Sequence, residues 1–258
     1  MITTNQKPLI LITNDDGDTA KGIEVLTRLM MQLGDVIVVS PDGQRSGQSN
    51  ALTVNNPIRY KKIQEQEGLT WYISTGTPTD CVKLALNGIV DRKPDLLVAG
   101  VNHGSNAAIN VIYSGTMGAV LEGCINGIKS IGFSVLDHSA NADFSNMEPY
   151  ILEIAKKVLE KGLPTGVCLN VNSPCDNIQG IKITSQCSGK WVKEYENRTD
   201  PQGRPYFWLT GHFQNNEPEN EETDEWALEK GYVTIVPTKI DLTDYDFMKE
   251  LKKWEFSK

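Results

Sequence analysis

The sequence predicts an α/β fold, a mostly parallel sheet with helices on both faces, extended by a carboxy-terminal β-hairpin and helix. Three observations lead there. Short continuous apolar runs, such as LILIT at Leu9–Thr13 and VIVVS at Val36–Ser40, have the length and β-branched content of strands buried on both faces. Segments with apolar residues at helical spacing lie between them. The alternation lasts for the first two thirds of the chain, as parallel strands joined by helical crossovers require.

The elements follow in order. Leu9–Thr13 is the first strand, and Ile23–Leu33 is a helix with Ile23, Leu26, Leu29, Met30 and Leu33 on one face. Gly34 ends that helix and Val36–Ser40 is the second buried strand. Ala51–Val54, Ile58–Ile63 and Trp71–Thr75 read as β segments, the last two joined by a polar turn. A helix is predicted over Thr79–Ile89, a strand over Asp95–Val101, a small-residue helix over Thr116–Asn126 and a strand over Ser130–Leu136. Ile151–Leu159 repeats the helical spacing, and Gly166–Val171 returns as a strand.

The last third changes character. Trp191–Arg198 and Pro205–Gly211 flank Asp200-Pro201-Gln202-Gly203, a strong turn signal, and predict an exposed hairpin. Asn215–Glu225 is polar and acidic and reads as a surface loop. Tyr232–Pro237 is a strand and Tyr245–Trp254 a terminal helix. No repeat, low-complexity tract or linker interrupts the 258 residues, which suffice for a sizeable core.

Composition narrows the function. A net charge of -8 argues against a binder of long nucleic acid, but is compatible with a mononucleotide held by a metal and backbone amides. Five cysteines, an odd number without a CxxC, fit unpaired thiols in a reducing compartment. Met1–Lys7 lacks a basic region followed by an apolar stretch, and no apolar run approaches the roughly 20 residues that span a bilayer. A cytoplasmic protein that does not enter the membrane is expected. The dinucleotide glycine fingerprint, the P-loop, HExxH and the GxSxG elbow are all missing from the sequence.

Ligands of open α/β sheets bind at the carboxyl ends of strands, and the loops there carry the polar clusters. Asn14-Asp15-Asp16-Gly17 follows strand one. Adjacent carboxylates repel unless a cation lies between them, and a hard divalent ion with oxygen ligands relieves this; a solvated turn with a helix-capping Asp is the plainer alternative. The loop Ser40–Asn50 is polar and glycine-containing, either loop filler or a source of a hydroxyl for a metal and donors for an anion. Gly100–Asn106 follows strand three. There Asn102 offers a neutral carbonyl oxygen to a hard metal, and His103 is either a general base or a structural histidine. Tyr113-Ser114-Gly115-Thr116 opens a helix, as a phosphate cradle or an ordinary N-cap. Gly76–Cys81 reads as a structural turn into a helix, with Pro78 at its start and Asp80 in its first turn.

In this order the clusters NDDG (Asn14–Gly17), PDGQRSG (Pro41–Gly47), GTPTDC (Gly76–Cys81), GVNHGSN (Gly100–Asn106) and YSGT (Tyr113–Thr116) resemble the SurE (survival protein E) family. The resemblance covers most of the chain, including Gly231-Tyr232-Val233 and Asp241-Leu242-Thr243. It implies a single domain over residues 1–258, with a Rossmann-like core to about residue 185 and a hairpin and tail, from about 186, exchanged between subunits. It implies one divalent metal ion per subunit, Mg²⁺ or Mn²⁺, held by Asp15, Asp16, Ser46 and Asn102. It also implies a phosphate site lined by Asn106, Ser114, Gly115 and Thr116, to which we add Asn14 as a substrate contact. Members of the family hydrolyse nucleoside 5′- and 3′-monophosphates, and some act on short polyphosphate. The chain departs from the common pattern at Lys21, where many members carry proline, at Asp18, which adds a carboxylate beside the pair, and at His103 and Ser105.

The expected chemistry is therefore that of a 5′-nucleotidase. Asp15 and Asp16 are the catalytic carboxylates: they hold a cation that activates water for in-line attack on phosphorus, and one of them takes the water's proton. An aspartyl-phosphate enzyme and a noncatalytic nucleotide- or metal-binding module are the rivals. A receiver-type domain is smaller and would carry an Asp where Asn102 stands. Trp191, Tyr195, Tyr206, Phe207 and Trp208 on the hairpin suggest partner contact, hence a homodimer or homotetramer.

Overall fold

The structure is a computed structural model that describes residues 7–139 and 141–256. The leader reading of Met1–Lys7 lies outside these residues except at Lys7. The elements run β1 (Leu9–Thr13), α1 (Lys21–Met30), β2 (Asp35–Pro41), β3 (Tyr60–Gln66), β4 (Leu69–Ser74) and α2 (Pro78–Leu84), which continues into a π-helical turn, Ala85–Ile89. Then come β5 (Leu96–His103), α3 (Asn110–Tyr113), α4 (Gly115–Ile125), β6 (Ser130–Val135), α5 (Glu148–Lys161) and β7 (Val167–Ser173). The last third comprises β8 (Gly180–Ile183), β9 (Gly189–Val192), β10 (Tyr195–Thr199), β11 (Pro205–Leu209), β12 (His212–Asn215), α6 (Asp224–Glu229), β13 (Tyr232–Lys239) and α7 (Tyr245–Leu251).

Nine strands form the main sheet in the order β3-β4-β2-β1-β5-β6-β7-β13-β8. The neighbours from β4 to β7 are parallel, and β3 and β13 run antiparallel to β4 and β7. The chain winds outward from β1 through β2 to one edge and then returns to place β5 on the other side of β1. β1 therefore marks the point where strand order reverses. The crevice between the carboxyl ends of β1 and β5, paired through Thr13 and Ala99, is where an open α/β sheet receives ligands.

The core explains why these residues form these elements. Alternate β1 side chains point to opposite faces: Ile10 and Ile12 join the apolar cluster under α1 and α5, and Leu11 joins the one under α2 and α4. α1 buries Ile23, Leu26, Leu29 and Met30. Full burial of one such side chain is worth about 1.5–3 kcal/mol, so this stripe anchors the helix. α2 begins with a reciprocal cap, in which Thr77 Oγ1 accepts from the Asp80 amide at 3.1 Å and the Asp80 carboxylate accepts from the Thr77 amide at 3.0 Å. The Gly76–Cys81 cluster is thus the structural turn that the sequence predicts.

Two expectations fail. Ala51–Val54 is not a strand. Its polar groups serve α2 instead, the Thr53 amide donating to the Asp80 carboxylate and the Ala51 carbonyl accepting from Thr77 Oγ1. The acidic stretch Asn215–Glu225 does not end as a surface loop, because Thr223 and Asp224 are fully buried and start α6. Read by composition, a helix cap with two acids in the first turn is indistinguishable from a solvated loop.

α4 is buried almost throughout, and its glycines allow close approach. A Cβ on Gly118 would lie 2.3 Å from the Ser49 carbonyl oxygen, whereas one on Gly88 meets nothing nearer than Leu84 Cδ1 at 3.9 Å. Glycine to alanine gains about 1 kcal/mol of helix propensity, but overpacking costs about 1–3 kcal/mol. Gly118→Ala is expected to lower the denaturant midpoint and Gly88→Ala to leave it unchanged or raise it. Equal effects in urea unfolding would contradict the packing of the Ser40–Asn50 loop on α4.

Candidate active site

The β1 exit places Asn14, Asp15 and Asp16 at the mouth of the crevice. The Asn14 amide nitrogen donates to the Gly17 carbonyl at 2.8 Å, which closes the turn. Asp15 is buried and Asp16 half-buried. The Ser40–Asn50 loop folds over this turn through hydrogen bonds from the Arg45 amide to the Asp15 carbonyl, at 2.7 Å, and from the Asp18 amide to the Pro41 carbonyl, at 3.1 Å. Its far end is held by Ser49, whose amide donates to the Tyr113 carbonyl at 3.0 Å.

The Asp15 carboxylate does not point into open solvent. Its Oδ1 accepts from Thr116 Oγ1 at 2.6 Å, and the Thr116 amide in the first turn of α4 also acts on it. A Cβ at Gly115 would stand 2.9 Å from Asp15 Cβ, so only glycine lets the helix come this close. The sequence leaves Ser114–Thr116 as a phosphate cradle or an ordinary N-cap; in this structure Ser114 caps α4 and Thr116 binds the chain's own Asp15 carboxylate. Burial pushes the Asp15 carboxyl up to about 6, the neighbouring Asp16 adds to the rise, and the Thr116 bonds oppose it. Burial likewise raises Asp16, against the His103 amide that donates to its Oδ2 at 3.3 Å. Among the described residues neither carboxylate has a cationic ion-pair partner.

Asn102 donates through Nδ2 to the Gly104 carbonyl at 2.7 Å, which leaves its Oδ1 without a donor among the described residues. Ser46 is exposed and accepts from Gln44 Nε2 at 3.0 Å. Asp15, Asp16, Ser46 and Asn102 line one cavity of about 490 Å³, together with Asn106 and Ser114. Asn14, Gly115 and Thr116 do not line it. Gly115 and Thr116 instead pack directly against Asp15. Asn106 Nδ2 donates to Ser134 Oγ at 2.8 Å, and its amide donates to Asn172 Oδ1 at 2.8 Å. Ser114 Oγ caps α4 by accepting from the Met117 amide at 3.0 Å, and its own hydrogen remains available as a donor.

His103 has a partner that the sequence does not reveal. Its Nδ1 lies 2.8 Å from the Ser139 carbonyl and must donate there, and its ring meets Phe144 edge-on. His138, Asn110, Trp191, Phe213 and Glu225 also line the cavity and escape sequence reasoning as site residues. Trp191 was expected on an exposed arm. It is half-buried and donates from Nε1 to Asn110 Oδ1 at 2.7 Å, whereas Tyr195, Tyr206, Phe207 and Trp208 are exposed. Asp224 joins this wall to the rest, its carboxylate accepting from the amides of Ala108 at 2.8 Å and of Cys187 and Glu225, both at 2.9 Å. No local motif marks these positions, because β9, β12 and α6 reach the crevice only through the tertiary fold.

A hard divalent cation fits this donor set. Two carboxylates and neutral hydroxyl and amide oxygens are the ligands such ions prefer. Among the described residues the adjacent carboxylates have no Lys or Arg ion-pair partner, and only the His103 and His138 rings, acting on Asp16, oppose their negative charge.

Comparison with known proteins gives a consistent result. A family model described as "Survival protein SurE" matches residues 10–193. The "5'-nucleotidase SurE" of Bacteroides fragilis is 54% identical over 252 residues, covering 97% of this chain and 99% of the relative. That of Phocaeicola vulgatus is 53% identical over 250 residues, covering 96% and 97%. The crystal structure of the Sure protein from Aquifex aeolicus superposes with a TM-score of 0.81 at 38% identity, covering 95% of this chain and 98% of that one.

The raised Asp15 carboxyl has a thermodynamic sign. Unfolded Asp titrates near 3.8 and the folded residue at about 6, so the native state holds the proton more tightly. Native stability therefore falls as pH rises between these values, and the full cost, about 3 kcal/mol at most, is present above pH 6. In excess chelator, Asp15→Asn is expected to raise the melting temperature at pH 7.5 and to have little effect at pH 4. A melting temperature lowered equally at both pH values would refute the uncompensated charge.

Proposed function

The chain belongs to the SurE family, and on that premise we propose that it is a nucleotidase, hydrolysing nucleoside monophosphates to nucleoside and phosphate. The observation that carries the reading is the pair of adjacent carboxylates, the buried Asp15 and the half-buried Asp16, lining one cavity with Ser114 and Asn106. The curated relatives that match over nearly their whole length bear the same activity in their names. Both 5′- and 3′-monophosphates are within the reading, with short polyphosphate as a side substrate.

In this proposal Asp15, Asp16, Ser46 and Asn102 hold one divalent cation per subunit, Mg²⁺ or Mn²⁺. When bound, such an ion neutralises charge on a phosphoryl oxygen and acidifies water. The chain's own residues do the rest. Thr116 and the α4 amide hold Asp15 in one orientation, and the His103 amide does the same for Asp16. Ser114 donates its hydroxyl to a nonbridging oxygen. Ser134 Oγ can accept or donate, so the Asn106 amide can turn its nitrogen toward the phosphate and keep a hydrogen bond to Ser134. Donors set in place before the reaction stabilise the charge that develops on the transferring group. One of the two carboxylates, Asp15 or Asp16, takes the proton of the attacking water.

We further read the enzyme as cytoplasmic and oligomeric. Five free cysteines, four of them buried, favour a reducing compartment. No helix among the described residues is long and apolar enough to cross a membrane. The exposed Tyr195, Phe207, Trp208 and Leu209 of the β10–β11 hairpin, with Leu242, Phe247, Trp254 and Phe256 of the tail, form apolar surface suited to a second copy of the chain.

Phosphate release from a panel of nucleoside monophosphates is expected to stop after chelation and to return with Mg²⁺ or Mn²⁺. Asp15→Asn is expected to lower kcat on the order of a thousandfold. Asn102→Ala should demand roughly tenfold more metal for half-maximal rate. Turnover that survives exhaustive chelation, or an Asp15→Asn enzyme of normal rate, would exclude the assignment. Light scattering at micromolar concentration should give a dimer or tetramer, and a monomer would contradict the oligomeric reading.

A further inference from the structure

The cavity is lined by two chemically distinct groups of residues, and the proposed chemistry uses only one. Besides the polar residues that follow β1, β2 and β5, its lining includes Trp191 on β9, Phe213 on β12 and Glu225 at the start of α6. Each is fixed from behind. Trp191 is tied to Asn110 at 2.7 Å, Phe213 pairs with Trp191 across the β9–β12 ladder, and Glu225 follows the buried Asp224, which binds three backbone amides. The aromatic side chains are half-buried and offer faces of the kind nucleobases stack on. The Glu225 carboxyl takes part in no hydrogen bond or ion pair among the described residues, although it is half-buried. Burial and the neighbouring Asp224 push it up to about 7. A polar group withdrawn from water without a partner gains most from a ligand that supplies one.

We propose that Glu225 is a specificity-determining residue of this enzyme, accepting hydrogen bonds from the N–H donors of a nucleobase that packs against Trp191 and Phe213. The inference rests on the nucleotidase reading, since it assigns the nucleoside end of the same cavity. A carboxylate best matches a base edge with two adjacent N–H donors, which guanine carries, because two parallel hydrogen bonds add geometry as well as energy. Glu225→Gln keeps the shape of the side chain but turns one acceptor into a donor, which faces the base's own donor.

The experiment compares GMP with p-nitrophenyl phosphate, an ester whose leaving group carries no N–H donor. In the full-length, metal-loaded enzyme, Glu225→Gln is expected to lower the ratio of kcat/KM for GMP to that for p-nitrophenyl phosphate about tenfold or more, mainly through KM. An unchanged ratio overturns the proposal, whether both activities persist or both fall together, the latter being what a merely structural role produces. A wild-type enzyme that cleaves p-nitrophenyl phosphate but none of the nucleoside monophosphates overturns the nucleotidase reading itself. A wild-type enzyme that cleaves both, with no shift in ratio on substitution, overturns only the role of Glu225.

Discussion

The site depends on one constraint: a carboxylate, Asp15, is held out of water next to a second carboxylate, and among the described residues it has no ion-pair partner. Such an arrangement is unfavourable on its own. It persists because β1, buried on both faces, ends there, and because α4 presents a first-turn amide and the Thr116 hydroxyl to the same oxygen atoms. These contacts favour the charged form, but they do not outweigh burial, since the carboxyl still titrates well above the ordinary aspartate range. What remains is a pair of carboxylates without an ion-pair partner among the described residues. Under the proposed function a divalent cation offsets their repulsion, and the electrostatic cost of holding them together becomes part of the affinity for the ion. Under the proposed function, stability and activity pull in opposite directions at Asp15, a common pattern where reactive groups are placed in apolar surroundings.

The neighbourhood serves this constraint. Gly115 carries no side chain because one would displace Asp15, and Gly118 carries none because the Ser40–Asn50 loop crosses α4 there. That loop brings Ser46 over the crevice and is anchored at both ends by backbone hydrogen bonds. On the other side, β5 brings Asn102 and His103 beside the pair only because the strand order reverses at β1. Two segments nearly ninety residues apart in sequence meet because parallel strands with right-handed crossovers leave a crevice at that point.

Much of this was legible in the residues. The runs Leu9–Thr13 and Asp95–Val101 announce buried strands, and acidic or amide residues directly after them announce a site, because both signals are local in sequence. The Thr77–Asp80 cap was legible for the same reason. The role of Thr116 was not. A glycine-containing helix start shows that an anion can be held, and it does not show which anion comes to it. The β9–β12 wall was hidden more deeply. Trp191 shares its composition with the exposed aromatics of the β10–β11 hairpin, and only the fold separates the one that turns inward from those that remain exposed. Asp224 and Glu225 sit in a stretch whose charge reads as solvated loop. Their burial depends on contacts to Ala108 and Cys187, one of them more than a hundred residues away.

The appended segment therefore belongs to the site as much as the sheet does. Asp224 binds the amide of Ala108, in the connection that carries Asn106, and the amide of Cys187, which leads into β9. A single buried carboxylate thus ties the connection that carries Asn106 to the segment that carries Trp191. Like Asp15, it is a buried acid with raised titration, hydrogen-bond donors on its carboxylate and an acidic neighbour, Glu225 in place of Asp16. The two differ in placement, since Asp15 lines the cavity and Asp224 does not. An acid at the cavity wall can meet a ligand, whereas one behind the wall, bound to three backbone amides, holds that wall in place.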